Sequence, residues 1–222
     1  MLNWAIRYTP VVRRLDEMNA TDVLDVGSGW FGLSWYRGGR IVQTDLDLSP
    51  VPTVRQPIGS ATYVRSTVEA LPFRPGSFDV VVSLDMMEHL PGRLRRPAIQ
   101  EMTRVARRAV IVGYPVGRIA KWTDWTYRQF LRVLRRHAPI WLAEHFAQER
   151  YPDRNTVLDA VPAGWKVTAE RSSGNAIAFL LVLLAEALAS KDGMPGVNRN
   201  WGWPKALDIG LPYRRIFTLE CS

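Results

Sequence analysis

The 222-residue sequence holds a single cysteine, Cys221, which excludes an internal disulfide framework or a cysteine-ligated zinc site within one chain. That scarcity fits a reducing, cytoplasmic setting. Histidine is nearly as rare. His89, His137 and His145 lack close ligand spacing, so no metal is expected, and Asp85 with Glu88 and His89 is the one conceivable cluster. Long apolar runs are missing too: Ile177 to Ala189 contains Glu186 and falls short of the roughly 18–20 residues that a bilayer span needs, which predicts a buried helix. Asn3, Arg7 and Thr9 interrupt the first segment before it reaches a signal-peptide core, so export is not expected.

Positive charge, in contrast, is abundant. The formal net charge is +8, and the excess collects between Arg93 and Arg136, where only Glu101 and Asp124 oppose twelve basic side chains. Such a field attracts an anionic small molecule, an anionic lipid surface or nucleic acid, although solvated helix faces carry the same pattern. With 47% hydrophobic residues the chain can bury one sizeable core, and a single domain with an insertion is expected.

Val23 to Gly32, V-L-D-V-G-S-G-W-F-G, reads as a short strand running into a glycine turn, with Phe31, Leu33 and Trp35 at helical spacing beyond it. A strand, a glycine turn and a helix make a cofactor cradle, because glycine admits close approach and the first N–H groups of a helix favour an electron-rich group. A connection that needs glycine only for its own geometry is the lesser alternative from these residues. The second strand, Arg40 to Thr44, ends on Asp45, about 20 residues beyond the start of the glycine motif, where an acidic side chain can accept hydrogen bonds from a ribose diol. Asp47 competes with it. Thr62 to Arg65 is a third strand. Phe78 to Ser83 reads as a continuous strand of the kind buried on both faces, and it emerges into the polar cluster Asp85, Glu88 and His89, at the end where parallel sheets bind ligands.

L-P-F at 71–73, F-D-V-V at 78–81 and E-H-L at 88–90 follow D-V-G-S-G at 25–29 in order and at fitting distances. Together they resemble the class I S-adenosylmethionine-dependent methyltransferases, of the group acting on small molecules, over roughly residues 20–115. The resemblance implies a Rossmann-like α/β fold: a doubly wound, mostly parallel seven-stranded sheet with an antiparallel last strand, here with a helical insertion. It also implies S-adenosyl-L-methionine as cofactor. Asp25, Gly27, Ser28 and Gly29 would lie against its methionine part, Asp45 and Leu46 by the ribose, Thr67 and Val68 by the adenine, and Ser83 and Leu84 by the sulfur. Two departures stand out. Gly32 replaces the family's earlier third glycine and creates the G-x-G-x-x-G spacing of dinucleotide sites, and Thr67 stands where an aspartate is usual.

Around that half, residues 1–19 predict an amphipathic lid helix interrupted near Pro10, and Leu94 to Arg107 predicts another helix. Residues 118–160 form a helical insertion, either an acceptor cap or a hairpin with tryptophans in its core. Residues 161–222 hold two further strands around the apolar helix, with Trp201 and Trp203 in a glycine- and proline-rich loop. His89 and then His145 are the candidate bases. The expected activity is methyl transfer to a small-molecule or glycan- or lipid-linked acceptor, anionic or apolar, with peripheral membrane contact left open. A nicotinamide oxidoreductase and a nucleic-acid-binding or -modifying protein are the competing classes. The second is disfavoured, because S-L-D-M-M-E after the fourth strand lacks the asparagine–proline–proline–aromatic motif of base-modifying enzymes.

Overall fold

Phe78–Leu84 (β4) is buried at every position in the computed structural model, which describes residues 2–49, 57–147, 151–188 and 210–222. Its side chains alternate between two cores, Val81 on one face of the sheet and Val80 and Val82 on the other, which is why its centre is apolar on both faces. Parallel to it run β1 (Asp22–Val26) on one side and β5 (Ala106–Pro115) on the other; β2 (Arg40–Asp45) and β3 (Ala61–Arg65) extend the β1 side in parallel. Beyond β5, the antiparallel β7 (Pro212–Cys221) joins β6 (Trp165–Asn175), giving the order β3-β2-β1-β4-β5-β7-β6. This is the expected seven-stranded, mostly parallel sheet.

Helices cover both faces. From α2 (Gly92–Val105), Ala98, Ile99, Met102 and Val105 enter the core that contains Val81. On the opposite face lie Tyr8, Val11 and Leu15 of α1 (Leu2–Glu17). That helix runs through Pro10 without the expected interruption: burial of Ile6, Tyr8, Val11 and Leu15 along one stripe outweighs the hydrogen bond that proline cannot donate. The insertion folds as α3 (Gly117–Val133), α4 (Ile140–Ala147) and the short α5 (Asn155–Leu158). In α3, Tyr127 and Leu131 are core, whereas Trp122 and Trp125 are about half exposed, so the tryptophans do not form the hairpin's core. The apolar α6 (Ala176–Leu188) packs beside α3 through Phe179, Leu180 and Leu183 but exposes Ile177, Leu181 and Leu188. The expected buried helix is thus buried along one side only. Trp201 and Trp203 lie outside the described residues. Among the described residues, no helix is long and apolar enough to cross a membrane.

The segment between β1 and β2 departs most from the sequence reading. No α-helix follows the glycine turn; the chain makes only a 3-10 turn at Leu33–Trp35. The Leu33 N–H donates to Asp25 Oδ2 at 2.7 Å, and the Ser34 N–H donates to Gln43 Oε1 at 3.1 Å. These bonds draw the backbone over the sheet edge, while Trp30 stacks on Tyr63 and Phe31 packs on Trp35. Gly32 owes its place to this approach: a Cβ there would sit 2.2 Å from Gln43 Nε2. Close packing therefore accounts for the dinucleotide-like glycine spacing, and the helix N-terminus that would hold a pyrophosphate is missing.

Candidate active site

The carboxyl ends of β1, β2 and β4 meet at one edge of the sheet. Gly27 and Ser28 follow β1 in a turn whose N–H groups both donate to Thr44 O, at 2.8 and 3.3 Å. Gly27 and Gly29 have φ near +72° and +56°, a region that side chains oppose, so the turn needs glycine at both points. Asp45 braces it. Its Oδ2 accepts the Gly29 N–H at 2.7 Å and its Oδ1 accepts the Asp47 N–H at 3.1 Å. Each oxygen retains a second lone pair for a ligand. Asp25 lies beneath, fully buried, where Tyr8 O–H also donates to Oδ2 at 3.2 Å. Burial pushes its carboxyl up to about 7.

A cavity of about 660 Å³ opens above this turn and continues past β4 to α4. At its far end Asp85 takes φ near +51°, and its carboxylate faces two arginines: Arg214 Nε and Nη2 donate to Oδ1 and Oδ2 at 2.5 Å each, and Arg7 Nε lies 2.9 Å from Oδ2. Burial pushes Asp85 upward, but the two guanidinium groups outweigh it and hold the carboxyl below its usual range. Glu88 is in the reverse situation. Burial, followed by the charge of Asp85, pushes its carboxyl well above the usual range, and neither oxygen has a hydrogen-bond partner among the described residues.

Two histidines complete this end. His145, buried on α4, has Nδ1 2.7 Å from Asp124 Oδ2 and Nε2 3.7 Å from Glu88 Oε1. Asp124 is held in turn by the hydroxyls of Tyr151 and Tyr213, at 2.6 and 2.9 Å. His89 Nδ1 lies 2.7 Å from Glu144 Oε2, and the two imidazole centroids are 4.8 Å apart. Burial, and then the neighbouring His145, lowers the pKa of His89, which keeps it neutral near pH 7 and able to accept a proton. Neighbouring atoms of Glu88, His89 and His145 thus form a compact donor set that chain spacing does not disclose.

Residues 24–112 match a family described as "Methyltransferase domain". The match covers less than half of the chain. Solved structures share its fold. Magnesium protoporphyrin IX methyltransferase from Synechocystis PCC 6803, with bound SAH, is 15% identical with a TM-score of 0.52, over 96% of this chain and 81% of that one. A structure from a study of the conversion of a disulfide bond into a thioacetal group during echinomycin biosynthesis gives 10% and 0.56, over 96% and 82%. A protein from Pyrococcus horikoshii OT3 gives 14% and 0.54, over 97% and 88%. At these identities the likeness concerns the fold. No curated protein is a significant sequence match.

Of the cofactor contacts expected from the sequence, Gly27, Ser28, Gly29, Asp45, Leu46, Val68 and Leu84 line the cavity, and so does Asp47. Asp25, Thr67 and Ser83 do not. Asp25 braces the turn from below, Ser83 is buried with its hydroxyl near Met86 Sδ, and Thr67 faces solvent while its neighbour Ser66 lines the cavity and bonds Thr44. Both candidate bases, His89 and His145, are at the far end, so the insertion contributes a wall through Trp141, Glu144 and His145 of α4. Arg7, Asp124 and Arg214 escaped the sequence reading. Asp124 had left a trace, as one of two acids amid the arginines. The other, Glu101, bonds Arg104 and the Leu71 N–H. Much of the arginine excess is engaged within the fold in the same way: Arg95 donates to the carbonyls of Met87 and Leu90, pinning the turn that carries Glu88 and His89, and Arg108 pairs with Asp79.

Proposed function

We propose that the protein transfers the methyl group of S-adenosylmethionine to a hydroxyl or other weakly acidic group of a small molecule, free or linked to a glycan or lipid. The observation that carries this reading is the continuity of one cavity from the Gly27–Gly29 turn to the titratable residues of the turn after β4 and of α4. Its volume of about 660 Å³ is of the size that encloses small ligands. The glycine turn receives the methionine part of the donor, Asp45 accepts from the ribose diol, and Leu46 and Val68 flank the base. The acceptor then lies toward His89, Glu144 and Trp141.

Transfer from a sulfonium is an in-line displacement: the bond from acceptor oxygen to methyl carbon forms as the sulfur–carbon bond breaks, and the donor leaves as a neutral thioether. Positioning the two reactants supplies much of the rate. An amine would need no base, whereas a hydroxyl must lose its proton, and a neutral His89 is placed to receive it. The proton-accepting groups gathered at this end favour the weakly acidic acceptor for that reason.

Isothermal titration with S-adenosylmethionine and with its demethylated product tests the donor assignment. Saturable heat with both is expected, and Asp45→Ala should weaken binding by roughly 10- to 100-fold through loss of charge-assisted hydrogen bonds. Absence of heat with either ligand, at protein concentrations that reveal micromolar binding, overturns the reading. If NADH rather than S-adenosylmethionine raises the melting temperature, the oxidoreductase reading replaces it.

A further inference from the structure

We infer that Glu88, His89 and His145 bind one divalent transition-metal cation at the acceptor end of the cavity. A donor atom of each lies within 4.8 Å of a donor atom of the other two. Ligands at about 2.0–2.2 Å from a zinc ion in a tetrahedron stand roughly 3.4 Å apart. A contraction of at most about 1.4 Å, within the reach of side-chain rotation, closes the set.

Glu88 is the decisive member. A structural role explains the pairing of His145 with Asp124 and of His89 with Glu144, because those contacts fasten α4 to the turn after β4. It leaves Glu88 unexplained: its side chain is buried, both oxygens lack a hydrogen-bond partner among the described residues, and burying a carboxylate in that condition is costly unless a cation comes to it. Asp85 cannot supply the missing ligand, as two arginines already occupy its oxygens.

The histidines are set up as ligands. With His145 Nδ1 against Asp124, the lone pair falls on Nε2, the nitrogen nearer Glu88. A carboxylate behind an imidazole orients it and raises its basicity in metal sites, and Asp124 is itself fixed by two tyrosine hydroxyls. Glu144 stands in the same relation to His89. Two imidazoles with one carboxylate suit zinc and its transition-metal neighbours better than calcium or magnesium, which prefer all-oxygen sites. Three protein ligands leave a position open to the cavity. A cation there acidifies a hydroxyl that binds it, which is the service that a weakly acidic acceptor requires, and His89 then acts as ligand in place of base.

The inference rests on the acceptor end of the site proposed above, but its test needs neither donor nor acceptor. The full chain, stripped of metal, is titrated with Co²⁺ and followed by visible absorption, then challenged with Zn²⁺. One equivalent of Co²⁺ should bind with d–d bands that Zn²⁺ abolishes. Glu88→Gln and His145→Ala should each weaken Co²⁺ binding by at least about tenfold, while His137→Ala, at an exposed position, should leave it unchanged. Native protein without saturable bands, or a Glu88→Gln variant that binds Co²⁺ as tightly as the native chain, overturns the inference. Should His145→Ala fail to fold, the nearly isosteric Glu88→Gln decides. S-adenosylmethionine titrations of the same samples separate the two readings: donor binding without cobalt binding refutes the metal site alone, and the converse refutes the donor assignment alone.

Discussion

At the donor end of the cavity the walls are Gly27–Gly29, Asp45–Asp47 and Val68, contributed by successive strand ends within one half of the sheet. At the acceptor end Arg7, Asp85, Glu88, Asp124, His145 and Arg214 converge from α1, the turn after β4, α3, α4 and β7. The first end is largely backbone, with carboxylates bracing a glycine turn; the second is a buried network of charged side chains. A backbone turn can be specified by neighbouring residues, because glycine and a strand end act over a few positions. A buried charge cannot. It is tolerable only with partners, and those arrive from wherever the fold brings them.

The largest effect that would break this contrast lies at the acceptor end. Arg214→Met removes the fully buried guanidinium that pairs with both oxygens of Asp85, and should destabilise the fold by about 3–5 kcal/mol. Urea or thermal denaturation measures it. A loss below 1 kcal/mol, on the order of a surface pair, would mean that Arg7 alone satisfies Asp85 and that the network is less interdependent than drawn.

The pH dependence of stability probes the donor end. Asp25 is raised to about 7 in the folded protein from an ordinary 3.8, so between those values the unfolded chain releases a proton that the folded one keeps. Stability from this group is therefore fully present below about pH 4 and falls by roughly 1.4 kcal/mol per pH unit up to about 7, beyond which the loss is constant. Asp25→Asn should flatten that part of a melting-temperature profile. An unchanged slope would remove Asp25 from the account.

Gly32→Ala comes next, with an expected loss of about 1–3 kcal/mol, because the added methyl group meets Gln43 and Ser28. The readout that matters is the pairing of that loss with donor affinity that is retained wherever the variant is folded. Loss of affinity with native stability would instead make Gly32 a ligand contact and revive the dinucleotide reading. The smallest effect belongs to Asp47→Ala. Asp47 is exposed, and Ser49, whose N–H donates to its carboxylate, helps hold it below the usual range. A change in donor affinity of less than about threefold is expected by titration, against the far larger loss from Asp45→Ala.

Much of the sheet was legible because the signals were local. The consecutive valines Val80, Val81 and Val82 point to a strand buried on both faces, and its polar exit marks the ligand edge. The glycine turn and Asp45 followed from the same logic. Legibility ended where one contact competed with a periodic pattern: Phe31, Leu33 and Trp35 keep helical spacing, yet Asp25 and Gln43 capture the Leu33 and Ser34 amides and hold the segment as a 3-10 turn. Pro10 errs in the opposite direction, since packing carries α1 through a residue that local rules treat as a break.

By itself, the sequence determined a strand–glycine–strand frame with an acidic residue at the second strand's end, because steric freedom at glycine and alternation in a strand are properties of neighbours. Only the tertiary structure decided that His145, 56 positions beyond His89, would stand within 4.8 Å of it ring to ring, with Glu88 buried between charged groups and Asp124 behind. Those distances depend on how α3 and α4 pack across the end of β4. Packing of that kind sums many weak contacts over the whole core, and no short stretch of the chain encodes it.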